Sequence, residues 1–560
     1  MQKLKIYCTF ILFNLLIVPS ITAQQYLQSY QFQGHYTISQ VETILTNFGV
    51  PTGLIVPEFE VDVYKIIYNT RNAQDTGNTI ASGAIAVPSG ITCPLPIAVY
   101  AHGTTSKRYD VPSYGSSELN IGIIMASMHG YVVDMPDYLG LGDSPGFHPY
   151  VHAKSEASAS RDMIRASREL ADSVNYNLNG QIVLAGYSQG GHAAMATFRE
   201  LELNHPTEFT VTAAAPMSGP YDVSGVQAVS LTADAPYSTP GYLPYIILGY
   251  QEAYGNLYNS LSEVLKSPYD TLIPQYFDGT NSIGYINNQV PDTPKHMLDS
   301  AFLVDLLNNP NNPGRLALQD NDLYDWIPTA PLHMLGCNGD EQVTFLNAVV
   351  TYDTMTTLGA SNVAKTDFGN FSHSGCVQFS LISGINFFNQ YRDLLGGMQV
   401  SSTVIDASSG NNDGSINIAA SNGTGAYSYD WQNGLSGQTT STVSGLAPGT
   451  YQVRVSDNRG CYTYEDVTVS MATGVKEITP QDIFKLYPNP AQDVVFLKLE
   501  QAFEQNYTIS LRDLMGKTIH QVSDYNNSIV RYDVSELPKG VYVVEVTAKN
   551  KRYVQKLVVN

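Results

Sequence analysis

Apolar strand-like runs alternate with helix-spaced segments from about residue 26 to 396. The runs fall at 59–67, 80–87, 97–100, 131–133, 181–185, 210–214 and 332–335, and apolar positions at helical spacing mark 155–173 and 190–204. The second helix must stop at Asn204-His205-Pro206, because proline cannot continue a helix. Such alternation predicts the α/β class: a mostly parallel sheet with helices on both faces. Between 215 and 330 the alternation lapses into a stretch rich in Tyr, Leu, Pro and Asn, with helical patches at 256–265 and 297–307. That is too long for a connecting loop and predicts a cap inserted at about 220–330. Its tyrosines would offer apolar surface with polar tips. Beyond 397 helical spacing disappears. Short alternating runs at 426–431, 449–455, 494–499, 508–511 and 541–547, set between Gly, Asn and Ser turns, predict two small β-sandwiches. They occupy 398–472 and 482–560, with a linker at 473–481, leaving 24–397 for the α/β domain.

The start of the chain sets the compartment. Lys3 and Lys5 precede an almost unbroken apolar run over 6–18, and Ala23 closes a small-residue cleavage pattern, so 1–23 is expected to be a signal peptide. The run is shorter than the ~20 residues a membrane span requires, and no later run qualifies, so no transmembrane anchor is expected. A length of 560 residues fits two to four domains, and 43% hydrophobic with 14% charged residues fits globular ones. The net charge of −21 repels nucleic acid and anionic lipid, which excludes both as natural partners. Cys8 leaves with the signal, and Cys93, Cys337, Cys376 and Cys461 enter an oxidising compartment that permits disulfides. A Cys337–Cys376 bridge is one expectation; four buried free thiols are the other.

The candidate chemistry centres on Gly186-Tyr187-Ser188-Gln189-Gly190-Gly191. An apolar strand precedes it and a helix of small residues follows, so the glycines permit a sharp elbow with the Ser188 hydroxyl at its tip. A serine hydroxyl is a poor nucleophile at neutral pH and needs a base, which in turn needs an acid to orient it. For a strand–turn–helix serine these follow along the chain as acid, then base. After the last candidate sheet strand only His373 and His520 remain, and His520 lies in the C-terminal β-unit, which leaves His373 as base. Asp340 follows the 332–335 strand and is the expected acid, with Glu341 the alternative. Cys337 and Cys376 each lie three residues from one of these groups, so their bridge would tie the two loops together. The amide of Gln189 and that of Thr104, with Gly103 the alternative, are expected to form the oxyanion hole. His102, Gly103 and Tyr187 flank these groups as expected substrate contacts; His102 precedes the serine and is given a supporting part rather than that of base.

Asp137-Tyr138-Leu139-Gly140-Leu141-Gly142-Asp143-Ser144 reads as a tight turn near the mouth of the site. His148 and His152 have a metal-like i, i+4 spacing but no Glu partner or third ligand. Residues 408–413 are a weak calcium pattern. No phosphate-cradling loop or zinc cluster is present, and no cofactor or metal is expected.

Tyr100-Ala101-His102-Gly103-Thr104, the 137–142 turn, His148-Pro149-Tyr150-Val151-His152 and Gly186 to His192 together resemble the secretory lipase and esterase branch of the α/β-hydrolases, over roughly 40–396. The resemblance implies hydrolysis of carboxylic esters through an acyl-enzyme, with Ser188, Asp340 and His373 in the matching positions. Residues 399–471 resemble one SprB-type repeat of bacterial surface adhesins. Residues 482–560, with Leu486-Tyr487-Pro488-Asn489-Pro490 and Leu537-Pro538-Lys539-Gly540-Val541-Tyr542, are similar to a type IX secretion sorting domain. That implies the type IX machinery of a Bacteroidota cell as a partner, with passage across the outer membrane and release or surface attachment. The expected function is therefore a secreted esterase or lipase acting on a small-molecule or lipid ester. A serine peptidase of the same fold, using cap carboxylates such as Glu252, Glu263 or Asp270, is the alternative. A non-catalytic adhesin is a third.

Overall fold

The computed structural model describes residues 25–48, 56–472, 483–500, 507–525, 529–548 and 551–560. The expected signal peptide and the 473–481 linker lie outside the described residues. A nine-stranded sheet is built from β1 (Leu27–Tyr36), β2 (Glu60–Arg71), β3 (Asn78–Ser89), β4 (Leu95–Ala101), β5 (Val132–Pro136), β6 (Leu178–Tyr187), β7 (Val211–Met217), β8 (Leu332–Gly336) and β9 (Val363–Asp367). Its order is β1-β2-β3-β5-β4-β6-β7-β8-β9. From β5 onward all neighbours are parallel. The helices among them are α1 (Ile38–Asn47), α2 (Leu119–His129), α3 (Ala153–Val174) and α4 (Gln189–Asn204). Between β7 and β8 come α5 (Ala228–Thr232), α6 (Tyr242–Tyr254), α7 (Tyr269–Tyr276), α8 (Ile283–Asn287), α9 (Ser300–Asn308) and α10 (Pro313–Asp320). After β8 follow α11 (Leu346–Leu358) and α12 (His373–Asn389).

The two-residue period of a strand explains why the central runs are apolar throughout. On β6, Ile182 and Leu184 join one core with Met163 and Ile164 of α3 and Met195 and Phe198 of α4. Val183 and Ala185, pointing the other way, join a second core with Val41 of α1, Ile123 of α2 and Phe388 of α12. Both faces are covered, so neither can be polar.

The structure adds to the sequence reading in two places and departs from it in a third. The β1, β2 and β3 strands are antiparallel, and β3 also meets β5 antiparallel. The edge strands β1 and β9 were not expected: β1 exposes most of its side chains, and none of β9 is fully buried, so neither carries an apolar run. Residues 256–265 are not a helix beyond the short turn Leu261–Glu263. There Glu263 accepts from the Asn259 amide (3.1 Å) and Ser260 Oγ meets Ser262 Oγ (2.8 Å), local bonds that compete with helical ones. The cap has its own core of Tyr242, Tyr245, Ile246, Tyr250, Ile273 and Met297.

Beyond Gly397 the described chain is all strand, in small sheets. The last of these pack around Phe484, Leu497, Ile509, Tyr532, Val544 and Leu557. Two compact units result, and the first includes, besides the chain up to Val400, the segments Ala420–Tyr429 and Arg454–Tyr464. Within that first unit Cys93 and Cys461 form a disulfide, a pairing the sequence did not indicate. The amides of Thr92 and Cys93 donate to Arg459 O, Arg459 Nη2 donates to Gly396 O (2.8 Å), and Tyr462 N donates to Leu394 O (2.9 Å). Arg454 pairs with Glu58 at 3.3 Å, while Tyr462 joins the core of the sheet. Segment 454–464 is thus clasped to the body of the nine-stranded fold.

The Cys93–Cys461 link spans 368 residues, and closing so long a loop contributes about 6 kcal/mol in the chain-entropy argument. Replacing both cysteines by serine is expected to lower the melting temperature of this unit by several degrees in calorimetry. An unchanged thermogram would show that the clasp holds without its covalent link.

Candidate active site

Ser188 sits between β6 and α4 with φ 62° and ψ −120°, a left-handed conformation rare for a residue with a side chain. Its amide donates to Met217 O at 2.9 Å, and its carbonyl accepts from the amides of Gly191 and His192. The flanking glycines are forced by contact. A methyl on Gly186 would lie 2.2 Å from Gly190 O, one on Gly190 1.9 Å from Ala101 O, and one on Gly191 2.4 Å from Met217 O. The elbow therefore leans directly on the backbone at the end of β4. The Gln189 and Gly190 amides at the start of α4 have no carbonyl within the helix to bond and carry its positive dipole end.

The Ala101–Thr104 loop lies opposite. Gly103 N donates to Glu118 Oε1 (3.2 Å), whose other oxygen accepts from Tyr100 OH (2.8 Å). The Gly103 amide is thereby occupied. His102 is buried, its Nδ1 donates to Gly103 O (2.7 Å), and its ring rests on Tyr138 with 4.4 Å between centroids. It supports the loop. Thr104 Oγ1 meets Tyr150 OH at 2.9 Å.

Asp340 and His373 come together although 33 residues apart: His373 Nδ1 donates to Asp340 Oδ2 at 2.7 Å. Asp340 Oδ1 accepts from the amides of Gln342 (3.0 Å) and Val343 (2.8 Å), which fixes the carboxylate. His373 is the first residue of α12, capped by Ser372, whose Oγ accepts from Gly375 N. Its amide donates to Glu341 Oε2 (3.0 Å) and its carbonyl accepts from Tyr187 OH (2.6 Å). Glu341, the alternative acid, thus holds the backbone of the histidine, and Tyr187 does the same from the elbow. The Cys337–Cys376 disulfide ties the two loops together. Gly339 is needed where they pass, since a methyl there would lie 2.5 Å from Asn370 Oδ1. Ser188, Asp340 and His373 are all buried, and Ser188 lines a cavity with Tyr150, Gln189, Tyr242 and Val343.

A polar network beneath the elbow was missed by the sequence reading. Gln189 Nε2 donates to Glu156 Oε1 (2.9 Å) and to His148 Nε2 (2.8 Å). The other Glu156 oxygen accepts from His192 Nδ1 (2.6 Å), and His192 Nε2 lies 3.1 Å from Asn321 O. A carboxylate amid the small residues Ala153, Ala157 and Ser160 on a buried helix face was the available signal. His148 Nδ1 donates to Leu139 O (2.8 Å), and a methyl on Gly140 of the same turn would lie 2.3 Å from His148 N, so the 137–144 turn cradles this ring. His152 Nδ1 instead meets Ser155 Oγ (3.0 Å). Burial pushes His148 and His152 down to about 4 each, with Glu156 opposing.

The sheet, the strand–turn–helix serine and the cap define an α/β-hydrolase. Residues 117–375 match the secretory lipase family model, and 485–560 match the secretion system C-terminal sorting domain. Among solved structures, a putative hydrolase from Legionella pneumophila is 29% identical (TM-score 0.61), covering 66% of this chain and 98% of that one. The rice cell wall degrading esterase LipA from Xanthomonas oryzae is 30% identical (TM-score 0.58), covering 65% and 97%. Candida antarctica lipase A, 17% identical at TM-score 0.50, covering 65% and 81%, shares the fold. No curated protein sequence matches. The chain belongs to the secretory lipase family. It is an exported ester hydrolase whose C-terminal domain is the sorting signal of type IX secretion.

Two outcomes follow from the buried network. Removing one partner of a buried, hydrogen-bonded pair costs about 3–5 kcal/mol, so Glu156→Ala should lower unfolding free energy by that amount in urea titration. His148 and His152 are neutral when folded and take up protons on unfolding below their ordinary value of 6.5. Stability should therefore fall as pH drops from 6.5 towards 4, by on the order of 3 kcal/mol per histidine. Denaturation midpoints across that range should fall less steeply for His148→Gln; an identical slope would contradict the assignment.

Proposed function

We propose that the protein hydrolyses carboxylic esters by a serine acyl-enzyme mechanism, with Ser188 as nucleophile, His373 as base and Asp340 as the acid that orients it. The observation that carries it is the 2.7 Å bond from His373 Nδ1 to a carboxylate that two backbone amides already hold. With Nδ1 donating to Asp340, the proton-free nitrogen of the neutral ring is Nε2. Nε2 removes the Ser188 proton as Oγ attacks the ester carbonyl carbon. The Gln189 and Thr104 amides receive the oxyanion, each donor supporting about 10²–10³ in rate. The tetrahedral intermediate collapses and expels the alcohol, which takes the proton from His373. Water then gives a proton to His373 as its oxygen attacks the acyl carbon, and His373 returns that proton to Ser188 Oγ as the carboxylic acid leaves. Asp340 stabilises the imidazolium of both steps without itself being protonated.

The peptidase alternative needs a carboxylate to hold a substrate amine. Glu252, Glu263 and Asp270 are absent from the lining beside Ser188, which consists of Tyr, Gln, Pro and aliphatic side chains. Esters are thereby favoured over peptides with a free amino terminus.

Ser188→Ala is expected to abolish hydrolysis of p-nitrophenyl acetate, with kcat falling about 10⁴-fold or more, and Asp340→Asn to lower it about 10⁴-fold while circular dichroism is unchanged. Full activity of the alanine variant would overturn the mechanism, and cleavage of leucine p-nitroanilide in preference to the ester would overturn the substrate class.

A further inference from the structure

The space beside Ser188 is small and its walls are tied down. About 20 Å3 is open to water-sized molecules there, between Tyr150, Val151, Val223, Leu231, Tyr242 and Ile246. That is room for roughly one water. Every one of these side chains is buried. Val223, Leu231, Tyr242 and Ile246 come from the cap, so the cap closes the cavity against the nucleophile.

The cap tyrosines are not free to swing away. Tyr150 stacks on Tyr245 at 4.3 Å with 7° between ring planes, and Tyr242 packs against Tyr150 at 5.8 Å. Their hydroxyls reach the loops that carry the chemistry. Tyr242 OH donates to Gln342 Oε1 (2.8 Å), two residues from Asp340, and Tyr245 OH donates to Thr105 O (2.9 Å), next to Thr104. Tyr237 OH donates to Gln342 O (2.5 Å) and accepts from Gln227 Nε2 (2.9 Å), while Ser238 Oγ donates to Glu341 O (3.1 Å). Lifting the cap would break its bonds to Gln342, Glu341 and Thr105 together. A larger apolar hollow of about 610 Å3 exists where α1, α2 and α12 meet, lined by Leu45, Ile121, Val377 and Leu381, but Ser188 is not part of its lining.

We infer that the acyl pocket is built for short acyl groups, of about two to four carbons, and that Val223, Leu231 and Ile246 are the residues that set this limit. The inference rests on Ser188 as the nucleophile. An acetyl methyl fits the space a water would take, and a slightly longer chain fits with side-chain adjustment. A long acyl chain would have to displace packed aliphatic groups or the hydrogen-bonded tyrosines. The substrates would then be small acyl esters, such as acetylated or butyrylated alcohols, rather than long-chain triacylglycerols.

The test uses the full chain with p-nitrophenyl acetate, butyrate, octanoate and palmitate, each below the concentration at which it aggregates. The unmodified protein should show its highest kcat/KM on acetate or butyrate and about tenfold less or lower on octanoate. Leu231→Ala with Ile246→Ala should raise the octanoate-to-acetate ratio of kcat/KM about tenfold. The milder Ile246→Val should move it the same way by a smaller factor, in case the double variant does not fold. Equal or higher kcat/KM on octanoate or palmitate for the unmodified protein would overturn the short-acyl inference while leaving the esterase reading intact. Inactivity on every ester would overturn both.

Discussion

The backbone at the start of α4 approaches the backbone at the end of β4 more closely than any side chain would allow. Gly190 meets Ala101 at a distance where even a methyl would overlap the carbonyl oxygen, and Gly186 and Gly191 are confined in the same way. This approach fixes the elbow and holds Ser188 at positive φ, a conformation that costs on the order of 1–3 kcal/mol and persists only when the surroundings over-determine it. Glu156, gripping Gln189 and His192 from below, keeps the first turn of α4 in this position with buried, charge-assisted hydrogen bonds.

The other half of the site depends on two parallel strands ending side by side. The β8 and β9 strands pair from Leu332 with Val363 to Gly336 with Asp367, so the loops after them emerge together. Asn338 then bonds Asp367, Glu341 takes the amide of His373, and the Cys337–Cys376 disulfide closes the pair. An Asp–His hydrogen bond between residues far apart in sequence needs such support, because a displacement of an ångström would break it. The cap fastens onto the same loops through Tyr237 and Tyr242 and onto the opposite loop through Tyr245. The walls of the cavity and the Asp340–His373 pair are therefore positioned by one hydrogen-bonded frame.

Export gives this rigidity a setting. The secretion system sorting domain at 485–560 takes the protein out of the cell, where disulfides are stable. Both disulfides lie in the hydrolase unit, one across the loops that carry Asp340 and His373 and one clasping segment 454–464 to the body of the fold.

Much of this was legible in the sequence because it is local or periodic. The central strands showed as apolar runs since both their faces are covered, and the elbow showed as glycines at contact positions around a serine. Chain order then singled out His373 and Asp340, because an α/β sheet visits its strands in a restricted order. The two edge strands β1 and β9 left no such trace, as exposed side chains carry no periodic apolar signal. Nor did the antiparallel start of the sheet, since strand direction depends on pairing rather than on side-chain alternation. What only the tertiary structure decided were pairings between distant residues: Cys93 with Cys461, Glu156 with His192, Glu341 with the backbone of His373, and the tyrosine hydroxyls with the loops beneath the cap. A residue's type and neighbours record what it can bond. Which partner it meets is set by how helix faces and loop ends come together in space, and the chain alone does not encode that as a local pattern.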